Sequence, residues 1–167
     1  MPIRQPYPAQ PQDVPDYRTI MESFASYVET ERPKLSSPGE VAALLRPVLS
    51  GKAQEECHVL LLDTRNRLIR DEVVTVGLAD RSQLHPREVF RSAIRENCSR
   101  IILAHSHPSG DVTPSPQDVT VTRQLAAAGE ILGIEVLDHA ILGRRTPAQE
   151  RDYLSLREAG AMGTGDG

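Results

Sequence analysis

Apolar positions recur along this chain with two different periods. In residues 17–31, "YRTIMESFASYVETE", Ile20, Met21, Phe24 and Tyr27 fall three or four apart, which predicts a helix. "SSPGEVAALLRPVLSG" follows, a Ser-Pro helix start with Val41, Leu44 and Leu45 on one face and an end near residues 47–51. From Glu55 the period changes. "EECHVLLLDTRNRLIRDEVVTVG" reads as strand, turn and strand, most simply a hairpin. "HPREVFRSAIRENCS" returns to the helical period, with Val89, Phe90, Ala93 and Ile94 on the apolar side and Arg87, Arg91 and Arg95 on the other, a solvated face. A strand "RIILAH", a helix from Ser115 to about Leu132 stopped by Gly133, and a strand "IEVLDHAILG" complete the pattern. A last helical segment is expected over 147–159. Strands and helices alternate, so the class is mixed α/β around one sheet.

The division expected from this pattern is a proline-rich arm over 1–16, an N-terminal helical segment over 17–52, the main domain over 53–159 and a glycine-rich tail over 160–167. The chain has 167 residues, 39% of them hydrophobic, which is enough for one packed core. Acids outnumber bases 23 to 19, for a net charge of -4, and Trp is absent. That balance argues against a dedicated nucleic-acid binder and against base-stacking platforms. Cys57 and Cys98 sit beside apolar sequence and read as two buried free thiols. The first residues lack the apolar stretch of a signal peptide, and no run approaches the roughly 20 apolar residues of a membrane span. The expectation is a cytoplasmic protein without a membrane partner; oligomeric state is not legible.

Chemistry concentrates in "IILAHSHPSGDVTPSPQD". Residues two apart on a strand project from one face, so His105 and His107 can reach a common point beyond the strand end. Imidazoles suit Zn²⁺, and a catalytic zinc typically has three protein ligands. Asp118, eleven residues after His107 across a Gly/Pro/Ser loop, is the third ligand this arrangement suggests. Ser115, Pro116 and Asp118 also read as an N-cap, a first-turn proline and a helix-start acid, so for Ser115 capping and chemistry stand level. A hydrolytic site needs a general base. Glu55 and Glu56 open the strand expected beside the histidines, and being adjacent they point to opposite faces, so one of them can serve.

The motif His-x-His, seven residues, Ser, two residues, Asp resembles the JAMM (MPN+) signature of JAB-superfamily zinc metallopeptidases. More closely, "LHPREVFRSAIRENCSRIILAHSHPSGDVTPSPQDVTVTRQL" and "LGIEVLDHAILG" resemble the RadC family, over about 55–143. The resemblance implies a JAB/MPN-type, cytidine deaminase-like mixed sheet flanked by helices. It implies one zinc per chain on His105, His107 and Asp118, the base at Glu55 with Glu56 as fallback, and Ser115 holding the developing oxyanion. Two departures stand out. Residues before Glu55 lack the Gly-rich hairpin pattern of a helix-hairpin-helix, and Ser106 stands where RadC relatives usually carry Asn.

The expected function is a metallopeptidase acting on a peptide or protein substrate. The alternatives are a DNA-repair-associated binding protein, which the charge disfavours, and a metal-containing scaffold without turnover. His139 and Asp138 match a RadC pattern, and either can stand near the cleft or in the core; His58 and His85 read as structural.

Overall fold

The computed structural model describes residues 17–22, 25, 32–76 and 84–163. The arm 1–16, residues 23, 24 and 26–31 of the first predicted helix (Phe24 and Tyr27 among them) and 164–167 of the tail lie outside the described residues. The chain divides into two compact units, Met1–Pro33 and Lys34–Gly167. In the first, residues 17–22 and 25 are helical.

The second unit opens with α1 (Pro38–Leu49). Its start is a full capping box: Ser37 Oγ accepts the Glu40 N–H, the Glu40 carboxylate accepts the Ser37 N–H at 3.0 Å, and Pro38 fills a first-turn position. Val41, Leu45 and Leu49 form its buried stripe. The helix lies in the same unit as the sheet. The hairpin follows as β1 (Glu56–Leu62) and β2 (Leu68–Val76). Its turn is shaped by Asp63, whose Oδ1 accepts the N–H of Arg65 at 2.8 Å and of Arg67 at 3.0 Å.

Next come α2 (Pro86–Arg95), β3 (Arg100–Ser106), α3 (Pro116–Leu132) and β4 (Glu135–Leu142). On α2 Val89, Phe90 and Ala93 are buried, but Ile94 is exposed. Arg87 and Arg91 reach Glu88, and Arg95 reaches Glu96, as a solvated face should. The helix expected over 147–159 is absent. Tyr153–Ser155 forms β5 instead, antiparallel to the end of β4. Its helix-forming composition is overridden from outside: the Asp138 carboxylate accepts Ser155 O–H at 2.6 Å and Arg157 N–H at 3.1 Å, which draws the segment out along the sheet edge.

The sheet order is β2-β1-β3-β4-β5. β3 and β4 are parallel, with α3 as their crossover, and the other pairs are antiparallel. Strand alternation sorts the core into layers. Cys57, Val59, Leu61, Ile101 and Leu103 pack against α2 and α3 residues such as Phe90 and Leu125. Leu60, Leu62, Ile102 and Ala104 pack against Val41, Leu45 and Leu49 of α1. The fold is therefore mixed α/β, a five-stranded sheet between helices.

The α1 side of β1 also carries a polar chain. Lys52 Nζ meets Glu56 Oε1 at 2.6 Å, Glu56 Oε2 meets His58 Nε2 at 3.2 Å, and His58 Nδ1 meets Asp71 Oδ1 at 2.7 Å. Burial alone would push the His58 imidazole down; the hydrogen bonds and charges of Asp71 and Glu56 outweigh it and hold its pKa above 6.5. The hydrogen bond from Lys52 chiefly holds the Glu56 carboxyl below its ordinary 4.5.

The loop between β3 and α3 is clamped to the segment after β4. Gly110 has φ +88, and a Cβ on Gly143 would come within 2.1 Å of the Gly110 carbonyl oxygen. That oxygen accepts Arg144 N–H at 2.8 Å and Gln149 Nε2–H at 2.9 Å, while Gln149 Oε1 accepts Val112 N–H at 3.1 Å. The Arg144 guanidinium donates to the carbonyls of Pro108 and Ser109 at 3.2 and 3.0 Å.

Two outcomes are expected. A raised folded-state pKa stabilises fully below the unfolded value, and that contribution is lost as pH rises through the folded one. The stability margin of wild type over His58→Gln should therefore be largest just below pH 6.5 and shrink toward higher pH; urea midpoints from pH 6 to 9 check this, and a flat margin would refute it. Gly143→Ala forces a methyl group into a backbone carbonyl, so it should cost about 1–3 kcal/mol in the same assay. An unchanged midpoint would show that the loop is not clamped there.

Candidate metal centre

β3 delivers His105 at its buried end, and the chain leaves the sheet at His107, whose N–H donates to the Leu142 carbonyl at 2.9 Å. Asp118 sits in the first turn of α3, fully buried. The three converge. His105 Nε2 lies 3.0 Å from His107 Nε2 and 3.6 Å from Asp118 Oδ1, and His107 Nε2 lies 3.7 Å from Asp118 Oδ2. One ligand atom from each falls within 4.8 Å of the others.

These separations suit a metal ion. Tetrahedral zinc bonded at about 2.0–2.1 Å sets its ligands roughly 3.3 Å apart, a spacing that the observed distances bracket. The donor chemistry fits as well. His107 Nδ1 is 2.6 Å from the Asp111 carbonyl oxygen, which only accepts, so that nitrogen carries the proton and Nε2 of the neutral ring offers its lone pair to the site. His105 turns Nδ1 toward His139 Nε2 at 2.6 Å and Nε2 toward the same point. His105, His107 and Asp118 can thus hold a metal.

Asp118 also closes a capping box. Its Oδ2 accepts the Ser115 N–H at 2.7 Å, and Ser115 Oγ accepts the Asp118 N–H at 3.1 Å. The capping reading of these residues is realised, and the hydrogen bonds that start the helix also fix the carboxylate's rotation beside the histidines. Ser115 Oγ serves the cap as an acceptor and keeps its own hydroxyl proton to donate.

The adjacent glutamates separate as alternation requires. Glu56 is held by Lys52 and His58 on the α1 side. Glu55 shares a cavity wall with Cys57, His105, Asp118, Val121 and His139. The β1–β3 register pairs Cys57 with His105, and Glu55 immediately precedes β1 on the wall of the cavity that these two residues line. Ser106 faces away from the centre, with its Oγ 3.5 Å from the Glu56 backbone nitrogen. A second and wider groove, lined by Lys52, Ser106, His107, Pro108, Gly143 and Arg144, opens at His107 from the other side.

His139 lies inside the site, and Asp138 serves β5 instead. Sequence reasoning missed Thr122, whose Oγ is 2.6 Å from His139 Nδ1. Its one signal is a threonine a helical turn after Asp118. The Asp111 carbonyl left none, because a backbone group has no residue type. Cys57 and Cys98 are buried thiols, and burial raises the pKa of Cys98. Among the described residues no helix is long and apolar enough to cross a membrane.

Comparison with known proteins agrees with this arrangement. Residues 35–161 match the family pattern described as RadC-like JAB domain. The chain is 41% identical over 141 residues to a UPF0758 protein of Methanosarcina mazei, covering 84% of this chain and 59% of the relative. It is 48% identical over 130 residues to one of Chloroflexus aggregans, with coverage of 78% and 54%. A third, from Desulfitobacterium hafniense, is 44% identical over 131 residues, with coverage of 78% and 55%. The chain spans less than two thirds of each of these relatives. A shared sequence running from α1 through β5, over a sheet that brings His105, His107 and Asp118 to one point, assigns the chain to the RadC-like JAB domain family.

Proposed function

We propose that this chain is a zinc-dependent metallopeptidase of the JAMM type that hydrolyses a peptide or isopeptide bond. The observation that carries the reading is the convergence of two imidazole Nε2 atoms and a buried carboxylate, with Glu55 on the wall of the cavity that His105 and Asp118 line. His105, His107 and Asp118 would hold the metal. Zinc bound there supplies Lewis acidity, acidifying water and polarising a carbonyl.

The protein's own groups account for the remaining chemistry. The Glu55 carboxylate takes a proton from the attacking water and delivers it to the leaving amine. Glu56 is unsuited to that task, because Lys52 and His58 hold it on the opposite face. The hydroxyl proton of Ser115 is available to the negative charge that builds on the scissile carbonyl oxygen, since the cap uses only the Ser115 lone pairs. The groove beside His107 offers an extended substrate an approach from solvent.

DNA binding finds less support. The arginines that would serve it are paired already: Arg87 and Arg91 with Glu88, Arg95 with Glu96, and Arg100 with Asn66 at 2.7 Å.

Elemental analysis after exposure to limiting zinc should find about one zinc per wild-type chain and little in Asp118→Ala. Glu55→Gln should retain zinc while losing about 10²–10⁴-fold in turnover of whichever peptide or isopeptide substrate a library screen identifies. Activity that survives either substitution would sink the mechanism.

A further inference from the structure

Behind the proposed ligands lies a hydrogen-bonded circuit that none of the assigned roles uses. Asp118 and Thr122 stand one turn apart on α3, His139 on β4 and His105 on β3. Thr122 Oγ is 2.5 Å from the Asp118 carbonyl oxygen and 2.6 Å from His139 Nδ1; His139 Nε2 is 2.6 Å from His105 Nδ1. His105 Nε2 then faces Asp118 Oδ1 at 3.6 Å, which brings the circuit back to the residue where it began. Thr122, His139 and His105 are all buried.

We propose that Thr122 and His139 are positioning residues that set the tautomer of His105 for metal binding. The inference rests on the metal reading above.

The argument is one of proton counting. A threonine hydroxyl has a single proton, and the Asp118 carbonyl can only accept. If Thr122 donates to that carbonyl, its Oγ is left as an acceptor for His139 Nδ1–H. Neutral His139 then presents a lone pair at Nε2, which accepts from His105 Nδ1–H. His105 Nε2 is thereby deprotonated and open toward His107 and Asp118. The neutral circuit has one other order. Thr122 donates to His139 Nδ1, His139 Nε2–H donates to His105 Nδ1, and a proton sits on His105 Nε2 between the prospective ligands. Only the first order leaves the metal position free, and only the first uses the short Thr122–Asp118 contact as a hydrogen bond. The choice is made at a hydroxyl more than one ring away from the metal position. Because that hydroxyl bonds to the main chain of Asp118, the carboxylate ligand's own turn of helix anchors the histidine ligand. Partners of this kind typically change metal affinity 10–100-fold when removed.

The test compares zinc affinity, by competition with a chromogenic chelator, in wild type, Thr122→Ser and Thr122→Val. It adds a long-range proton–nitrogen NMR spectrum of the imidazoles in zinc-loaded wild type. Thr122→Val should bind zinc about 10–100-fold more weakly, and Thr122→Ser, which keeps the hydroxyl, within about threefold of wild type. The spectrum should place the His139 proton on Nδ1. A His139 proton on Nε2, or a Thr122→Val affinity within a factor of two of wild type, overturns the proposal while leaving the metal reading intact. A wild type that takes up no zinc overturns both. Should Thr122→Val fail to fold, the wild-type spectrum decides alone.

Discussion

The central place of β3 is the constraint on which the rest of the structure depends. The strand is paired along both edges, with β1 and β4, and helices cover both of its faces. From Ile101 to Ser106 its side chains are buried, and a polar one must find its partners inside. Ile101, Ile102, Leu103 and Ala104 meet that requirement by being apolar. His105 does not, and the surrounding elements are arranged around its needs. β4 supplies a second imidazole, α3 a hydroxyl and a carboxylate, and the end of the strand itself a third ring. Of these partners, His139, Thr122 and Asp118 are buried along with it.

The same economy governs the start of α3. A buried carboxylate is costly unless its oxygens are occupied. Asp118 divides its work, one oxygen accepting the Ser115 N–H and the other facing His105. Helix capping and site assembly are one set of contacts here. This explains why a residue can read as an ordinary helix-start acid and still belong to the centre.

Much of this was legible because alternation and helical spacing act locally. The hairpin, β3, α3 with its Gly133 stop, and the convergence of His105, His107 and Asp118 all follow from periodicity and a short loop. Alternation shows that Glu55 and Glu56 diverge and the family resemblance points to Glu55, whereas the cavity that Glu55 lines with His105 and Asp118 exists only in the fold. β5 was read as helix because its local composition favours one, and the bonds from Asp138 that draw it out cross the sheet from another strand. Thr122 and the Asp111 carbonyl were invisible for a related reason. Their significance comes from what folds against them, and a lone threonine on a helix or a backbone oxygen in a loop carries no pattern.

The chain of charges on the far side of β1 bears on more than the pH dependence of stability. Because successive strand residues face opposite ways, sliding β1 by one position would exchange the environments of Glu55 and Glu56. Hydrophobicity is a weak guard against that error, since the run from Val59 to Leu62 is apolar on both faces and would bury well in either setting. The polar end of the strand discriminates. In the shifted pairing His58 would leave Asp71, and Glu56 would turn toward a cavity that already holds Asp118. Lys52, Glu56, His58 and Asp71 therefore work as a key cut for one alignment of the hairpin. The groups that favour this alignment lie on the side of the sheet opposite the histidines.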